Sequence, residues 1–358
     1  MRAANLPLLA FILLVQLRLG CFGQTQESAP AAVHPQGLTI EVLDGMARLP
    51  GGLAALPEPP IPPGNPQTES KVELGRKLFF DKRLSKDGST SCASCHDPGK
   101  AYSDGRATAV GINQTVLSRR TPSLLNSAYN RVQFWDGRAK TLEEQALVPM
   151  LGKSEMGMPN PRTLLIRVQE VPEYHRRFRE AFAREVNLQD IQRAIAAFER
   201  TLITPHSAFD RYADGNRKAL TDQQKRGLIL FIGKAACSQC HNGPNFTDDK
   251  FHSLGLLPGE HEDRDVGHFA VSRNPADRHA FKTPSLRSAT QQSHFMHNGA
   301  FISLPQVIAF YNDGGGRVPK SNLLFQLHLT DAEQQDLLAF LQALAGNVPG
   351  DDRLGVQK

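Results

Sequence analysis

Four of the five cysteines in the 358-residue chain lie in two copies of one short motif. Each copy has two cysteines separated by two residues and followed at once by a histidine, as "CASCH" and "CSQCH". In this pattern the thiols add to the vinyl groups of a haem, and the histidine binds one axial face of the iron. The sequence therefore predicts two covalently bound haem c groups, attached through Cys92, Cys95, Cys237 and Cys240, with His96 and His241 as iron ligands.

Three other uses of the paired cysteines fit the sequence less well. A zinc site takes four ligands from such pairs, but it gives no reason for a histidine after each pair. A redox dithiol would not recur with the same histidine, and structural disulfides seldom close loops this short. If the fifth cysteine, Cys21, is removed with a leader, the haems use every remaining cysteine.

The two motifs belong to a longer internal repeat. An apolar amphipathic segment precedes each motif, "ELGRKLFF" before the first and "KRGLILFI" before the second. Farther along, "TPSL" occurs at 121–124 and again at 283–286, a displacement of 162 residues. With that displacement kept, Asp136 falls opposite Asn298. We therefore predict two related cytochrome-like halves.

The same register compares the positions where each half would present a distal ligand to its haem. Tyr311 in the second half falls opposite Pro149 in the first. A tyrosine can bind ferric iron as phenolate, whereas proline has nothing to donate, so one haem would be closed and the other open. From the residues alone, Met296 and His297 remain alternative ligands, and Tyr311 could instead be an ordinary core residue.

Helices must position these residues, and the apolar periodicity predicts an all-α fold of two cytochrome c-like domains, each built around one haem. No alternating run of any length indicates a strand. The predicted helices span 71–80, 141–150, 162–184, 187–203, 221–232, 304–311 and 331–345.

The helical pattern breaks near 205–220, which indicates a domain boundary. Residues 24–67 are rich in Pro, Gly and Ala and are predicted to be flexible or extended, with a short amphipathic piece at 38–48. The predicted organisation is a signal peptide at 1–23, a Pro-rich lead-in at 24–67, an open-haem domain at 68–210, a closed-haem domain at 211–348 and a tail at 349–358.

The first 23 residues indicate export to the periplasm. They begin with Arg2, continue with an apolar run too short for a membrane span, and end in small residues that permit cleavage after Gly23. Lipid anchoring at Cys21 is not expected, because Arg18 and Leu19 fit a lipidation motif poorly. We expect no stable membrane insertion.

Composition excludes one class of partner. The predicted leader carries two Arg and no acid, so the mature chain keeps 39 basic against 36 acidic residues, a charge of about +3. So mild an excess, without a Lys/Arg block and interleaved aromatic residues, gives no case for nucleic acid.

Together these stretches resemble one family, the di-haem cytochrome c peroxidases and MauG. The resemblance covers roughly residues 68–346 and is carried by "SCASCHDP", "QFWDGRAKTLEEQA", "SEMGMP", "AIAAFERTLITPHSAFDRY", "FKTPSLRSA" and "FMHNGAF". MauG-like members mature or oxidise a tryptophan of a partner protein, and one such branch, typified by MbnH, occurs with copper-related genes. The motifs do not separate these branches.

The resemblance implies roles for single residues. Tyr311 stands where MauG-like members carry a tyrosine ligand and where the peroxidases carry methionine. Trp135 is implied to conduct between the haems, and Glu155 to be the distal acid–base residue. Gln145 and Pro149 match the MauG distal pocket. The peroxidases' histidine ligand has no counterpart near 108–114, which implies a first haem that is open at rest.

The family's calcium ion is the one implied cofactor that the sequence argues against. Its ligands are an Asn, a Thr carbonyl and a Pro carbonyl, and the matching positions here are Arg120, Gln292 and His294. A metal cation beside Arg120 is unfavourable, although carbonyl ligands would survive a change of side chain.

Three functions follow from the resemblance. The favoured one is an enzyme that uses hydrogen peroxide to form a high-valent di-haem state and oxidises a Trp or Tyr side chain of a secreted partner protein. The second is a peroxidase that reduces peroxide with electrons from a small cytochrome c or cupredoxin. The third is a non-catalytic electron carrier.

Overall fold

The computed structural model describes Met1 and residues 37–256, 265–317 and 319–349. Apart from Met1, the predicted signal peptide with Cys21 lies outside the described residues, as do the first part of the predicted lead-in and nearly all of the predicted tail. From residue 37 onward, the described chain belongs to one compact unit. Within it, no helix combines the length and the apolar character needed to cross a membrane.

The fold is predominantly helical, as the sequence predicts. The α-helices are α1 (Ile40–Gly45), α2 (Glu69–Phe79), α3 (Cys92–Cys95), α4 (Leu142–Leu151), α5 (Pro161–Gln169), α6 (Pro172–Phe182), α7 (Leu188–Glu199), α8 (Ala208–Ala213), α9 (Asp222–Ile232), α10 (Phe269–Ser272), α11 (Leu304–Asn312) and α12 (Asp331–Ala343). Two short strands, β1 (Phe251–His252) and β2 (Phe281–Lys282), pair antiparallel.

The predicted internal repeat is present in the backbone. Helices α2, α4 and α7 of the first half recur as α9, α11 and α12 of the second. The bridged turn 133–139 recurs as a bridged turn at 295–301, displaced by 162 residues. In these turns Phe134 and Met296 both have left-handed backbones, with φ of 68° and 67°. The register read from "TPSL" therefore holds in three dimensions.

Polar caps start the repeated helices. A Thr, Ser or Asn side chain accepts a hydrogen bond from an amide in the first turn of each of these six helices, which satisfies a donor that the helix itself leaves free. The capping residues are Thr68, Thr141, Asn187, Thr221, Ser303 and Thr330.

One close helix contact organises each half. Helix α2 packs on α7, and α9 packs on α12. At the first contact a Cβ on Gly75 would clash with the carbonyl oxygen of Ala194, and at the second a Cβ on Gly227 would clash with that of Asp336. Glycine is needed at both positions because the backbones approach too closely for a side chain.

The described part of the lead-in is packed, not flexible. Leu43 in α1, Leu49 and Leu53 are buried in the same core as Phe209 and Tyr212 of α8. This core also contains residues of α9, α11 and α12, so the lead-in packs with the second half. Truncating the fully buried Leu43 to Ala would cost about 2–5 kcal/mol.

The helix predicted at 162–184 is wrong as a single element. The chain forms α5 and α6, separated at Glu170 and Val171. Pro172 explains the break, because proline lacks the amide that would continue the ladder and disfavours a helical backbone at the residue before it. Helix α7 also ends at Glu199, earlier than the predicted 203.

Candidate active site

Both C-x-x-C-H motifs line a single cavity of about 990 Å³, at the upper end of the usual range for ligand pockets. Every site residue predicted from the sequence lies in its wall. These residues are Cys92, Cys95, His96, Trp135, Gln145, Pro149, Glu155, Cys237, Cys240, His241 and Tyr311. Residues from both halves of the repeat therefore meet around one space.

The two motifs adopt similar compact turns. Cys92–Cys95 form α3, and Cys237–Gln239 form a single 3-10 turn. The amide of His96 donates to the carbonyl of Cys92 over 2.9 Å, and that of His241 donates to Cys237 over 2.8 Å. All four cysteines are free thiols. They are available for attachment to a cofactor.

Each motif histidine is oriented by one carbonyl oxygen. The Nδ1 atom of His96 lies 3.1 Å from the carbonyl oxygen of Tyr102, and that of His241 lies 3.1 Å from that of Phe246. A carbonyl oxygen only accepts, so Nδ1 carries the hydrogen and Nε2 keeps its lone pair for a metal. Burial lowers the pKa of both imidazoles, that of His241 to about 4, which keeps them neutral.

Buried cations in the cavity wall fit the carboxylates of a porphyrin. Lys282 and Arg287 both line the cavity and are largely inaccessible to solvent. The Nη1 group of Arg287 has no hydrogen-bond partner among the described residues. A buried guanidinium N–H of this kind suits a carboxylate. The thiols, the oriented imidazoles and these cations together fit two haems.

In the first half, α4 presents the residues predicted for an open distal face. Gln145 and Pro149 are four positions apart, so they lie on the same side of this helix, and both line the cavity. The proline side chain has no donor atom for a metal. Its counterpart in the second half is Tyr311, in the corresponding helix α11.

The turn after α4 places Glu155 at the same wall. The amide of Ile112 donates to the carbonyl of Glu155 over 2.9 Å, which fixes the turn to the preceding loop. A Cβ on Gly152 would clash with the Glu155 carboxylate, so the missing side chain makes room for the acid. Burial is the main cause that raises the pKa of Glu155, partly opposed by the positive charge of Arg138.

Tyr311 lies close to the second motif. Its side chain lines the cavity and packs against the hydrophobic core of the second half. Burial raises its pKa, and the neighbouring thiols of Cys237 and Cys240 raise it further. A phenolate here would therefore need an adjacent cation, which a bound ferric iron would supply.

The two alternative ligands also line the cavity. Met296 occupies a left-handed turn position, and the ring of His297 stacks on that of Phe281 with centroids 3.5 Å apart. Tyr311 remains the predicted ligand of the second haem.

Trp135 is fixed at the junction of the halves. Its indole Nε1 donates to the carbonyl of Arg120 over 3.0 Å, and the Arg120 guanidinium carbon lies 5.6 Å from the centre of its ring. Its own carbonyl accepts from the amide of Lys282 over 2.8 Å. These contacts hold the indole rigidly against the cavity.

The residues at the expected calcium position do not fit calcium. Calcium takes six to eight oxygen ligands and usually carboxylates. Here the Nη1 group of Arg120 donates to the side-chain oxygen of Gln292 over 3.3 Å, so a fixed positive charge lies among the residues that would have to bind the cation. His294 bonds to Ser293 in the same segment. No carboxylate among the described residues pairs with Arg120 within 4 Å.

Two further titratable groups lie in the wall, and the sequence predicted no catalytic role for either. Glu199 is buried in α7, its Oε2 atom has no partner among the described residues, and burial raises its pKa to about 8. His252 lies 3.1 Å from Asp248, and hydrogen bonds to Asp248 and Cys240 raise its pKa to about 9. For Glu199 a signal exists, since a single acid ends the apolar run "AIAAF".

Known proteins resemble this chain in sequence. A family model described as di-haem cytochrome c peroxidase matches residues 69–218. The cytochrome-c peroxidase IdrP1 of Pseudomonas sp. (strain SCT) is 41% identical, over 83% of this chain and 86% of that protein. The methylamine utilization protein MauG of Methylorubrum extorquens is 43% identical, over 80% of this chain and 81% of that protein.

Solved structures agree with the sequence relatives. A MauG-like protein associated with microbial copper homeostasis is 33% identical, with a TM-score of 0.74, over 82% of this chain and 94% of that one. The dihaem peroxidase BthA from Burkholderia thailandensis is 26% identical, with a TM-score of 0.68. These relatives span most of their own length and most of this chain. The chain therefore belongs to the di-haem cytochrome c peroxidase and MauG family, as a peroxide-dependent di-haem oxidoreductase.

Proposed function

We propose that this chain is a MauG-like enzyme that uses hydrogen peroxide to oxidise a Trp or Tyr side chain of a partner protein. The observation that supports this proposal is a pair of matched positions in α4 and α11. The first half has Pro149 there and the second has Tyr311, and both residues lie in the cavity wall. Such a pair leaves one haem open to peroxide and closes the other.

The two haems, when bound, supply the reaction with peroxide and hold its oxidising equivalents. Cys92, Cys95, Cys237 and Cys240 would attach them covalently, and His96 and His241 would bind the irons from one side.

Glu155 would move the proton that peroxide activation requires. Its carboxylate is half-buried beside Gly152, and its raised pKa brings it nearer to neutral pH, where an acid–base residue works best. Gln145 lies on the same wall and would orient the incoming molecule, while Pro149 keeps the approach free.

Trp135 would conduct between the two sites. It is the only tryptophan in the chain, it is buried, and both halves contribute hydrogen bonds to it. Tyr311, as an anionic oxygen ligand, would lower the potential of its haem and stabilise the oxidised form. These two residues would make the second site suited to keeping an oxidising equivalent until a partner is oxidised.

The alternative is a peroxidase that takes electrons from a small cytochrome c or a cupredoxin. One relative named as a cytochrome-c peroxidase is about as similar to this chain as MauG is. The alternative predicts rapid peroxide turnover when such a reduced donor is present.

Two measurements on the holoprotein separate these functions. Electron paramagnetic resonance of the resting ferric protein should show one high-spin and one low-spin haem, because Pro149 cannot ligate and Tyr311 can. Two low-spin haems would contradict an open site at rest. Peroxide turnover with reduced cytochrome c should be slow, and fast turnover would favour the peroxidase.

We also propose that the protein is exported to the periplasm and acts on a secreted partner. The proposed covalent attachment of the haems and the leader-like first 23 residues both favour export. A secreted protein encoded beside this one is the first candidate substrate. Mass spectrometry of that protein after peroxide treatment would locate added oxygen or a new cross-link.

A further inference from the structure

Arg120 carries a buried positive charge where the two halves meet. Its amide donates to the carbonyl of His297 over 2.7 Å, and its Nε donates to the carbonyl of Met296 over 3.3 Å. Its Nη1 donates to the side-chain oxygen of Gln292 over 3.3 Å. A residue of the first half thus binds three oxygen atoms of the second.

The repeat gives Arg120 a counterpart. A displacement of 162 residues leads from Arg120 to Lys282, which is also a buried cation lining the cavity. The hydrogen bonds between the halves follow the same repeat. The amide of Lys282 donates to the carbonyl of Trp135, and the amide of Arg120 donates to the carbonyl of His297. In the repeat, His297 is the counterpart of Trp135. Lys282 has a carboxylate partner, Asp249, at 3.5 Å.

Arg120 lacks such a partner among the described residues. The acid whose charge acts on it is Asp104, but that carboxylate accepts from the Thr121 hydroxyl over 2.9 Å and from the Arg106 amide over 3.0 Å. Burial lowers the pKa of Arg120 to about 10, so the guanidinium stays charged at neutral pH. Because no ion pair among the described residues neutralises it, the positive charge of Arg120 acts electrostatically on the cavity and on Trp135.

We propose that Arg120 is a built-in cation that takes the place of a bound metal ion between the halves. It binds oxygen atoms at this junction, as a metal would, and it adds one positive charge beside Trp135 and the cavity. Being covalently part of the chain, this charge is never lost to a chelator. The proposal is independent of which substrate the enzyme oxidises.

The first test uses the wild-type holoprotein. Elemental analysis should find no stoichiometric calcium, and treatment with EGTA or with added calcium chloride should leave the paramagnetic resonance spectrum and both haem midpoint potentials unchanged. Stoichiometric calcium whose removal alters either measurement would overturn the proposal.

The second test changes the charge. Arg120→Gln should lower at least one haem midpoint potential, because a nearby positive charge favours the reduced iron, and Arg120→Lys should restore most of the loss. Arg131→Gln is the matched control. Arg131 is an exposed arginine that precedes Trp135 in the chain, so its replacement should leave both haem midpoint potentials unchanged. Unchanged potentials in Arg120→Gln, or equal shifts in the Gln and Lys variants, would refute a role for the charge. If Arg120→Gln does not fold, Arg120→Lys and the wild-type calcium measurements still decide.

Discussion

The backbone amide of Lys282 donates a hydrogen bond to the carbonyl oxygen of Trp135 over 2.8 Å. Trp135 belongs to the first half of the repeat and Lys282 to the second. The indole Nε1 meanwhile bonds to Arg120 of its own half. The residue proposed to conduct between the haem sites is therefore held from both sides, and its position depends on the docking of the halves.

Trp135→Phe should slow electron transfer between the two haem sites. The variant keeps an aromatic ring but leaves the buried Arg120 carbonyl without its donor, which should lower the free energy of unfolding by about 1–3 kcal/mol. Peroxide should still react at the first haem, while the spectral change of the second haem slows. Stopped-flow absorbance measures both steps. Tyr129→Phe, which changes an aromatic residue outside the cavity wall, is the control; equal slowing there would argue against a path through Trp135.

Glu155→Gln should slow peroxide activation by about 10²-fold or more while both haems stay bound, since general acid–base help is typically of that size. Glu170→Gln, which changes an exposed carboxylate, should have no effect. An unchanged rate in Glu155→Gln would mean that the proton comes from another group.

The pH dependence of the same reaction should report Glu155. Its pKa is raised, mainly by burial, above the usual glutamate value of about 4.3. Only the carboxylate can accept a proton from peroxide, so the rate should fall as pH drops through this raised pKa. The inflection should be absent from Glu155→Gln, and an identical profile in both proteins would assign it elsewhere.

Gly152→Ala should disturb Glu155 without disturbing the fold. Gly152 has φ of −62°, which alanine adopts freely, so stability should stay the same or rise by up to about 1 kcal/mol. The added Cβ would meet the Glu155 carboxylate and displace it, and misplacement of this kind can cost about 10²-fold in rate. Gly64→Ala, where a Cβ meets nothing within 4 Å, is the control for stopped-flow measurements.

Glu199→Gln should make the protein more stable, and more so at high pH. Burial raises the pKa of Glu199 to about 8, so the folded protein holds a proton that the unfolded chain releases near pH 4.3. Wild-type stability should therefore fall as pH rises from about 4.3 to about 8. Thermal unfolding at about pH 5 and about pH 9 compares the two proteins, and a constant difference would show that Glu199 does not titrate.

The chemistry of this protein could be predicted from sequence because it is carried by local motifs and by a repeat. The two C-x-x-C-H motifs and the displacement of 162 residues indicated Pro149 and Tyr311, and the family resemblance added Glu155. The structure brings all three to one cavity. Each of these signals needs only a short stretch of chain or a comparison of two stretches.

Features that depend on docking could not be predicted. Leu43 packs on the second half, although its surroundings in the chain are rich in Pro and Gly. The bonds from Arg120 to Met296 and Gln292 join residues more than 170 positions apart. Apolar periodicity also predicted one helix across Pro172, because periodicity indicates which side chains are buried and does not detect a missing backbone amide.

Tyr311 carries the distinction between the two proposed functions, so its replacement is the most informative variant. Tyr311→Met should keep the second haem attached, because Cys237, Cys240 and His241 are unchanged. A thioether ligand raises the haem potential, whereas an anionic oxygen lowers it. The oxidising equivalent should then move to Met, Trp or Tyr side chains of the enzyme, and oxidation of the partner should be lost.

Mass spectrometry of enzyme and partner after peroxide treatment would show which molecule is oxidised. Tyr129→Phe is the matched control, because Tyr129 lies outside the cavity wall and its hydroxyl donates to the carbonyl of Pro57. That variant should oxidise the partner as the wild type does. If Tyr311→Met also modifies the partner at wild-type yield, Tyr311 does not hold the oxidising equivalent. Fast peroxide turnover with reduced cytochrome c in the wild type would then identify the protein as a peroxidase that draws on a small redox donor.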